Sequence, residues 1–362
     1  MMFNNEMTEL LSIKYPIIQA PMAGGITTST LVAEVSNSGG LGMIGAGYMT
    51  PVQIREQIRE IKKLTSNPFG INLFVPNEFR LTENEIKSSN QLLDPIRQQL
   101  HLPQKDNFDP PNFESVFEEF IQQIKVVIEE KVPICSFTFG IPSKDLMTEL
   151  KKSNIILIGT ATTVTEAVEN EKAGMDIVVV QGSEAGGHRG NFINRSQESS
   201  IGLMSLIPQV VDNVSIPVVA AGGIMDGRGL IASKYLGAMG VQMGTAFLTC
   251  IESGAHMVHK EAILHAKEDQ TVLTRSFSGK WARGINNKFI IEMKKHEAFL
   301  PDFPIQNTLT QDIRKASILQ NKQDFTSLWS GQSPRLAKNQ TVESLIQTII
   351  AEAKKLITME AR

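Results

Sequence analysis

Eight short apolar runs recur along the chain, and each is followed by a polar or glycine-rich loop and then by apolar residues at helical spacing. Short runs bounded by turn residues are typical of β-strands, and the segments between them are typical of amphipathic helices. The predicted strands are residues 17–22, 41–44, 69–74, 132–137, 155–159, 176–181, 217–221 and 240–247. The chain is therefore expected to alternate strand and helix.

The predicted strands are apolar without alternation, which indicates that both faces of each strand are buried. Such strands form parallel sheets that are covered by helices. Eight strand–helix units predict a TIM (β/α)8 barrel, and the 362 residues exceed the typical length of about 250 for this fold. The predicted fold class is α/β, a barrel with an insertion after strand three and a mostly helical C-terminal subdomain.

Two regions do not follow the repeat. Residues 76–130 are longer than a strand-to-helix connection needs and are interpreted as an insertion. Beyond about residue 252 no strand is predicted, and residues 342–359 form an amphipathic helix that completes the outer ring. The predicted domains are a barrel at 1–268, a lid or substrate subdomain at 269–338 and a terminal helix at 339–362.

The net charge of −3 comes without a basic stripe or an acidic tail, so neither a nucleic acid nor a membrane is an expected partner. No window approaches the roughly 18 apolar residues that a membrane span needs. The first residues carry early acids and no long apolar core, so no secretory signal is predicted and a cytoplasmic location is expected. A small molecule is the expected partner, and the oligomeric state stays open.

The segment 40–45, GLGMIG, matches the glycine pattern of dinucleotide-binding folds. That fingerprint must follow a strand and open a helix, whereas this segment follows a predicted helix and contains a strand itself. We therefore interpret these glycines as a helix end and a tight turn, and predict no Rossmann fold.

Function in a parallel barrel collects at the carboxyl ends of the strands, where the loops converge. Strands seven and eight end in glycine-rich loops, which suit a phosphate group held by backbone N–H groups. Gly222, Gly223, Gly244 and Thr245 have that chemistry. The alternative is that the glycines only form tight turns.

Three amides, Asn72, Gln181 and Gln242, lie in or at the ends of otherwise apolar strands. A buried amide needs partners, and its donor and acceptor suit the mixed edge of a flavin's pyrimidine ring. The alternative for each amide is structural hydrogen bonding inside the barrel. Met22, at the end of strand one, either lies against a flat ring or packs in the core.

His188 is the candidate acid or base, because a histidine exchanges protons near neutral pH and the glycines around it admit a substrate. Its neighbours Glu184 and Arg189 are candidates for orienting it or holding an anion. The alternative is a loop histidine with a structural hydrogen bond. His256 and His259 stand three residues apart without an acid at ligand spacing, so no metal site is predicted.

Several segments together resemble the bacterial nitronate monooxygenases. They are IIQAPMAGG, FGINLFVP, IGTATTVTEA, GMDIVVVQGSEAGGHRG, IPVVAAGGIMDGRG and LGAMGVQMGTAFLTC, followed by FSGKWARGINN and WSGQSPRLA. The resemblance implies a TIM barrel that binds FMN non-covalently and oxidises alkyl nitronates, such as propionate 3-nitronate, with O2 to carbonyl compounds and nitrite. It also implies FMN contacts at Asn72, Gln181, Gly186, Gly223, Gln242, Met243, Gly244 and Thr245, and a catalytic base at His188.

Two other functions stay open at this point. A flavin-dependent enoyl-[acyl-carrier-protein] reductase shares the AGGH segment and the glycine-rich end of strand seven, and would use a nicotinamide. A flavin-binding protein without turnover is the second alternative, although it has no need of an ionisable side chain facing the ring.

Overall fold

A computed structural model describes residues 3–79, 82–105, 108–193 and 200–360 of the chain. The strands are β1 (Ile17–Gln19), β2 (Gly42–Gly45), β3 (Phe69–Phe74), β4 (Ile134–Thr138), β5 (Ile156–Ala161), β6 (Ile177–Gln181), β7 (Gly187–His188), β8 (Val218–Ala221), β9 (Gly240–Met243), β10 (Thr271–Thr274) and β11 (Ala282–Ile285). Eight of them form one parallel sheet in the order β1-β9-β8-β6-β5-β4-β3-β2.

That sheet closes on itself. The last open pair is joined by a parallel bridge between Ile18 and Leu41, with hydrogen bonds of 2.9 Å from Gln19 N–H to Leu41 O and from Leu41 N–H to Ile17 O. A closed cylinder of eight parallel strands with helices around it is a TIM barrel. The predicted fold class is confirmed.

Helices cover the outside of the barrel and also build residues 269–338, which we call the C-terminal part. They are α1 (Glu6–Leu11), α2 (Ser29–Asn37), α3 (Pro51–Leu64), α4 (Glu83–Gln99), α5 (Phe113–Glu129), α6 (Lys144–Lys152), α7 (Val164–Ala173), α8 (Leu203–Val211), α9 (Gly227–Tyr235), α10 (Thr245–Leu248), α11 (Met257–His265), α12 (Lys288–Met293), α13 (Ile305–Leu309), α14 (Gln311–Leu319) and α15 (Val342–Glu360). Threonine is the N-cap residue of several of these helices. The side chains of Thr28, Thr50 and Thr163 each accept a hydrogen bond from a backbone N–H of the first turn.

The interior of the barrel is filled by aliphatic side chains from its strands. Ile18, Ile134, Ile158 and Val219 are at most 1% exposed and belong to one cluster, which Met7 of α1 also joins. β-Branched residues suit these positions because they pack well on a pleated sheet. The interior of the barrel is thus a packed core and not a channel.

The glycines of segment 40–45 serve packing. Gly42 and Gly45 lie in β2, and a Cβ atom on Gly42 would stand 2.1 Å from the Val32 carbonyl oxygen of α2. α2 and β2 can approach each other this closely only because glycine has no side chain. The segment contains a strand and opens no helix, so it is not a dinucleotide fingerprint.

Two predicted strands extend too far. β1 ends at Gln19, and Pro21 cannot donate a ladder hydrogen bond, so the strand does not reach residue 22. β9 ends at Met243, because Gly244 takes φ −104° and ψ −69° and the next residues form α10. The apolar run through residue 247 did not show this change, since a buried helix and a buried strand share that pattern.

The predicted insertion contains two helices with different partners. Leu93 and Ile96 of α4 pack with C-terminal residues such as Phe277, in one cluster. α5 instead packs against α3 and β3, where Phe120 and Ile124 are buried. In the domain division that we propose, α5 therefore belongs with the barrel and α4 with the C-terminal part.

The prediction of no strand beyond residue 252 was wrong. β10 and β11 form an antiparallel pair, and β11 also pairs with β7, where Ala282 stands opposite His188. The signal was missed because both strands are four residues long and β7 has only two. α15 packs against α9 and α2, in the outer ring. No helix within the described residues is long and apolar enough to span a membrane.

Candidate active site

A cavity of about 650 Å³ opens at the carboxyl ends of the barrel strands and is roofed by C-terminal residues. It brings together nearly all the predicted site residues. Those that line it are Met22, Asn72, Gln181, Gly186, His188, Gly222, Gly223, Gln242, Gly244 and Thr245. Residues that are distant in sequence therefore share one mouth, as the barrel topology predicts.

Met243 is the exception among the predicted residues. Its side chain is 1% exposed and packs in the hydrophobic cluster of the barrel wall, together with Val241. Successive side chains of a strand point to opposite faces, so Gln242 and Met243 cannot both face the cavity. The side chain of Met243 is core, and only its backbone lies near the mouth.

The three predicted amides have different environments. Asn72 donates to Ser136 Oγ at 2.8 Å and to Thr138 Oγ1 at 3.0 Å. Gln181 donates to the His188 carbonyl at 3.0 Å and accepts from the Gly190 N–H at 2.8 Å.

These bonds divide the amides by role. Gln181 ties the segment around His188 to the end of β6, which is the structural alternative left open above. The side chain of Gln242 forms no hydrogen bond with any residue that the structure describes, although it faces the cavity. A polar amide in that position requires a partner from water or a ligand.

Backbone donors are available at the ends of β8 and β9. Gly222 and Gly223 have φ of 135° and 67°, a conformation that favours glycine. In the described part of the chain, the N–H groups of Gly222, Gly223, Gly244 and Thr245 form no hydrogen bond. Converging free N–H groups are the donors that a phosphate group requires.

His188 lies in β7, and its half-buried ring is surrounded by three aromatic side chains. The ring centroids of Trp329, Phe139 and Phe303 lie 5.5, 5.9 and 6.1 Å from that of the imidazole. β7 is held by β11 on one side and by Gln181 on the other. The ring therefore has a fixed place in the cavity wall.

Ser278 selects the tautomer of His188. Its Oγ lies 2.8 Å from His188 Nε2 and 3.1 Å from the Lys280 carbonyl oxygen, which can only accept. Ser278 is 2% exposed, and its single proton satisfies the carbonyl when the imidazole donates to Oγ. This arrangement favours the tautomer of neutral His188 that carries its hydrogen on Nε2 and its lone pair on Nδ1.

The surroundings of His188 favour the neutral imidazole. Burial, together with the positive charges of Lys280 and Arg314, lowers the pKa of His188 to about 3. The Lys280 ammonium lies 4.8 Å from the centroid of the Phe139 ring and donates to Asn191. Arg314 lines the cavity from α14. His188 in the free protein is therefore a proton acceptor at neutral pH.

We expect His188 to stay neutral, with the hydrogen on Nε2, down to about pH 4. A histidine of ordinary pKa is charged in nine molecules of ten at pH 5.5, one unit below its reference value of about 6.5. Nitrogen chemical shifts of 15N-histidine-labelled protein report charge and tautomer, and the spectrum of His188→Gln identifies the signal. Ser278→Ala should mix the two tautomers. A His188 titration near pH 6.5 would contradict the environment described above.

The charged neighbours of His188 in sequence hold the loop. Arg189 is 4% exposed and donates to the carbonyls of Gly182 at 2.6 Å and Gln181 at 3.2 Å. Glu184 accepts from the Leu203 N–H at 2.8 Å. Both side chains therefore bind the backbone of the loop after β6, and that they orient His188 or hold an anion stays a prediction.

Sequence reasoning missed several residues of the cavity wall, including Tyr48, Phe139, Arg314 and Trp329. Tyr48 is 42% exposed, and its hydroxyl is a hydrogen-bond donor at neutral pH. Tyr48 follows strand two, and its place at a strand end was a signal that could have found it. Arg314 and Trp329 come from beyond the barrel and carried no such signal.

The fold and its mouth place the chain among the (β/α)8-barrel enzymes. The family model described as nitronate monooxygenase matches residues 4–352, so the chain belongs to the nitronate monooxygenase family. It is accordingly an oxidoreductase of the monooxygenase type, and the resemblance seen in the sequence is confirmed.

Individual relatives agree with this assignment. A probable nitronate monooxygenase of Staphylococcus haemolyticus (strain JCSC1435) is 54% identical over 361 residues, covering 99% of each chain. Nitroalkane oxidase from Streptomyces ansochromogenes has a similar structure, with a TM-score of 0.88, 35% identity and coverage of 98% of this chain and 99% of that one. FabK from Thermotoga maritima also has a similar structure, with a TM-score of 0.78, 31% identity and coverage of 99% of this chain and 98% of that one.

Proposed function

We propose that this chain is an FMN-dependent nitronate monooxygenase that oxidises alkyl nitronates, such as propionate 3-nitronate, with O2 to carbonyl compounds and nitrite. The observation that carries the proposal is the imidazole of His188, which lies 2.8 Å from Ser278 Oγ in a cavity that also holds free backbone donors. A proton acceptor beside a phosphate-type site fits a flavin enzyme that handles an acidic carbon.

The residues present fit FMN. We propose that the free N–H groups of Gly222, Gly223, Gly244 and Thr245 hold its phosphate. The unpartnered amide of Gln242 suits the polar edge of the ring system, with Asn72, Gln181, Met22 and Gly186 around it. Thr245 Oγ1 already accepts a hydrogen bond from Gly331, so its backbone N–H is the donor left for a ligand.

When bound, FMN supplies the electron acceptor and the reactivity towards O2 that no side chain offers. His188 would remove the α-proton of a neutral nitroalkane at the lone pair of Nδ1. A nitronate that is already anionic would raise the pKa of His188 and draw a proton to it, because a nearby negative charge favours the imidazolium. Arg314 lines the same cavity, and the positive charge of Lys280 also acts on His188.

The structural similarity to FabK keeps the enoyl-[acyl-carrier-protein] reductase alternative as a second candidate. A reductase of this kind takes electrons from NADH or NADPH. A flavin-binding protein without turnover is the remaining alternative.

The proposal predicts that the purified protein is yellow and releases nitrite from propionate 3-nitronate or ethyl nitronate in air. In the absence of O2, NADH or NADPH should bleach the flavin slowly or not at all. Rapid bleaching without nitrite release would favour the reductase. A yellow protein that neither bleaches nor releases nitrite would favour a flavin carrier, and a folded protein that takes up no FMN would refute the proposal.

A further inference from the structure

Three consecutive residues of the C-terminal part each bind a different loop of the barrel mouth. The Gly331 N–H donates to Thr245 Oγ1 at 3.0 Å, after β9. The Gln332 N–H donates to the Glu184 carbonyl at 3.0 Å, after β6. The Ser333 hydroxyl donates to the Gly223 carbonyl at 2.9 Å, after β8. We call residues 331–333 the clasp.

The clasp lies close against the barrel. A Cβ atom on Gly186 would stand 2.5 Å from the Gly331 nitrogen, and one on Gly331 would stand 2.9 Å from the Glu184 carbonyl oxygen. Neither position accepts a side chain without movement of the backbone. The glycines of both segments therefore serve this contact.

Ser333 has donor capacity to spare at the end of β8. It is half-buried and lines the cavity beside Gly223. Its backbone N–H forms no hydrogen bond within the described ranges of the chain. Its hydroxyl can rotate away from the Gly223 carbonyl towards a ligand, since a serine hydroxyl turns freely.

We propose that Ser333 binds the phosphate of FMN through its backbone N–H and its hydroxyl, so that the clasp forms the third side of a phosphate site otherwise built by the loops after β8 and β9. This inference rests on the proposed FMN function and deepens it. The barrel loops alone would leave the phosphate open on the side that the clasp covers. The ligand group is a phosphate monoester, and riboflavin, which lacks it, supplies the comparison.

The test compares FMN with riboflavin, using flavin fluorescence titrations of the full chain after its flavin has been removed. Ser333→Ala should weaken FMN binding about tenfold, as expected for one hydrogen bond to a charged group. Riboflavin binding should change less than about twofold. Ser333→Asp should weaken FMN binding about a hundredfold or more, because its carboxylate repels the phosphate, while riboflavin binding stays near that of the unaltered protein.

Ser344→Ala is the matched control, because Ser344 is an exposed serine of α15 that does not line the cavity. It should leave both affinities unchanged. Equal losses for FMN and riboflavin in Ser333→Ala and Ser333→Asp would overturn the inference, as would no loss for either ligand. An unaltered protein that binds neither flavin would refute the proposed function as well, so the two failures are distinguishable.

Discussion

Replacing His188 by glutamine is expected to lower kcat/KM for nitroethane about 10²- to 10⁴-fold, the range that one positioned acid or base contributes. Glutamine keeps a polar side chain between Phe139 and Trp329 but cannot accept a proton. Ethyl nitronate arrives without the α-proton, so for this substrate only a charge-assisted hydrogen bond is lost. The expected decrease is then about 10- to 100-fold. Initial rates of nitrite release measure both values.

His265→Gln is the matched control, because the side chain of His265 is 78% exposed and lies outside the cavity. It should behave as the unaltered protein does. The visible spectrum of His188→Gln shows whether FMN is retained. Equal rates in His188→Gln and the unaltered protein, for both substrates, would exclude His188 from the chemistry. A decrease that accompanies loss of flavin would assign His188 to cofactor binding instead.

The barrel could be predicted because its signal is local. An unbroken apolar run such as that of β6 indicates a strand that is buried on both faces. Eight such runs, each followed by a helix, indicate a barrel. The ends of strands were harder to predict, because the apolar run that begins in β9 continues into α10. β10 and β11 were missed because four-residue strands carry little pattern, and their pairing with β7 depends on a partner far away in sequence.

The part of the candidate site that the loops after the barrel strands supply could be predicted from the sequence. The strand-end rule led to His188 and to the glycines after β8 and β9, and the structure places them around one cavity. The amides show the limit of such reasoning. Sequence cannot say that Gln181 is occupied by backbone partners while Gln242 is not, because both are glutamines in apolar strands.

The contacts that give the site its chemistry are long-range. Ser278 is 90 residues from His188, and Ser333 is 110 residues from Gly223. A hydrogen bond across such a distance leaves no periodic pattern in the sequence. The C-terminal part was therefore expected as a lid or substrate subdomain without named contacts, whereas the structure shows that it supplies the partner of the imidazole and the clasp on the barrel mouth.

Arg97→Met is expected to lower the free energy of unfolding by about 3 kcal/mol, at the lower end of the range for breaking a buried ion pair. The side chain of Arg97 is 0% exposed and donates to Asp312 at 2.9 Å, to Asp94 at 3.0 Å and to the Leu309 carbonyl at 3.0 Å. It thereby ties α4 to α14. Methionine fills similar space but leaves two carboxylates and a carbonyl without their donor. Both carboxylates are partly exposed and regain water, which moderates the loss.

Urea unfolding followed by tryptophan fluorescence measures this effect where it arises, because Trp281 and Trp329 both belong to the C-terminal part. Arg59→Met is the matched control. Arg59 also pairs with a carboxylate, that of Glu130, but its side chain is 62% exposed, so its loss should cost about 1 kcal/mol or less. Circular dichroism of the same samples follows the barrel helices. If both signals shift together in Arg97→Met, then α4, the C-terminal part and the barrel unfold as one unit. A shift no larger than that of Arg59→Met would show that Arg97 does not hold them together.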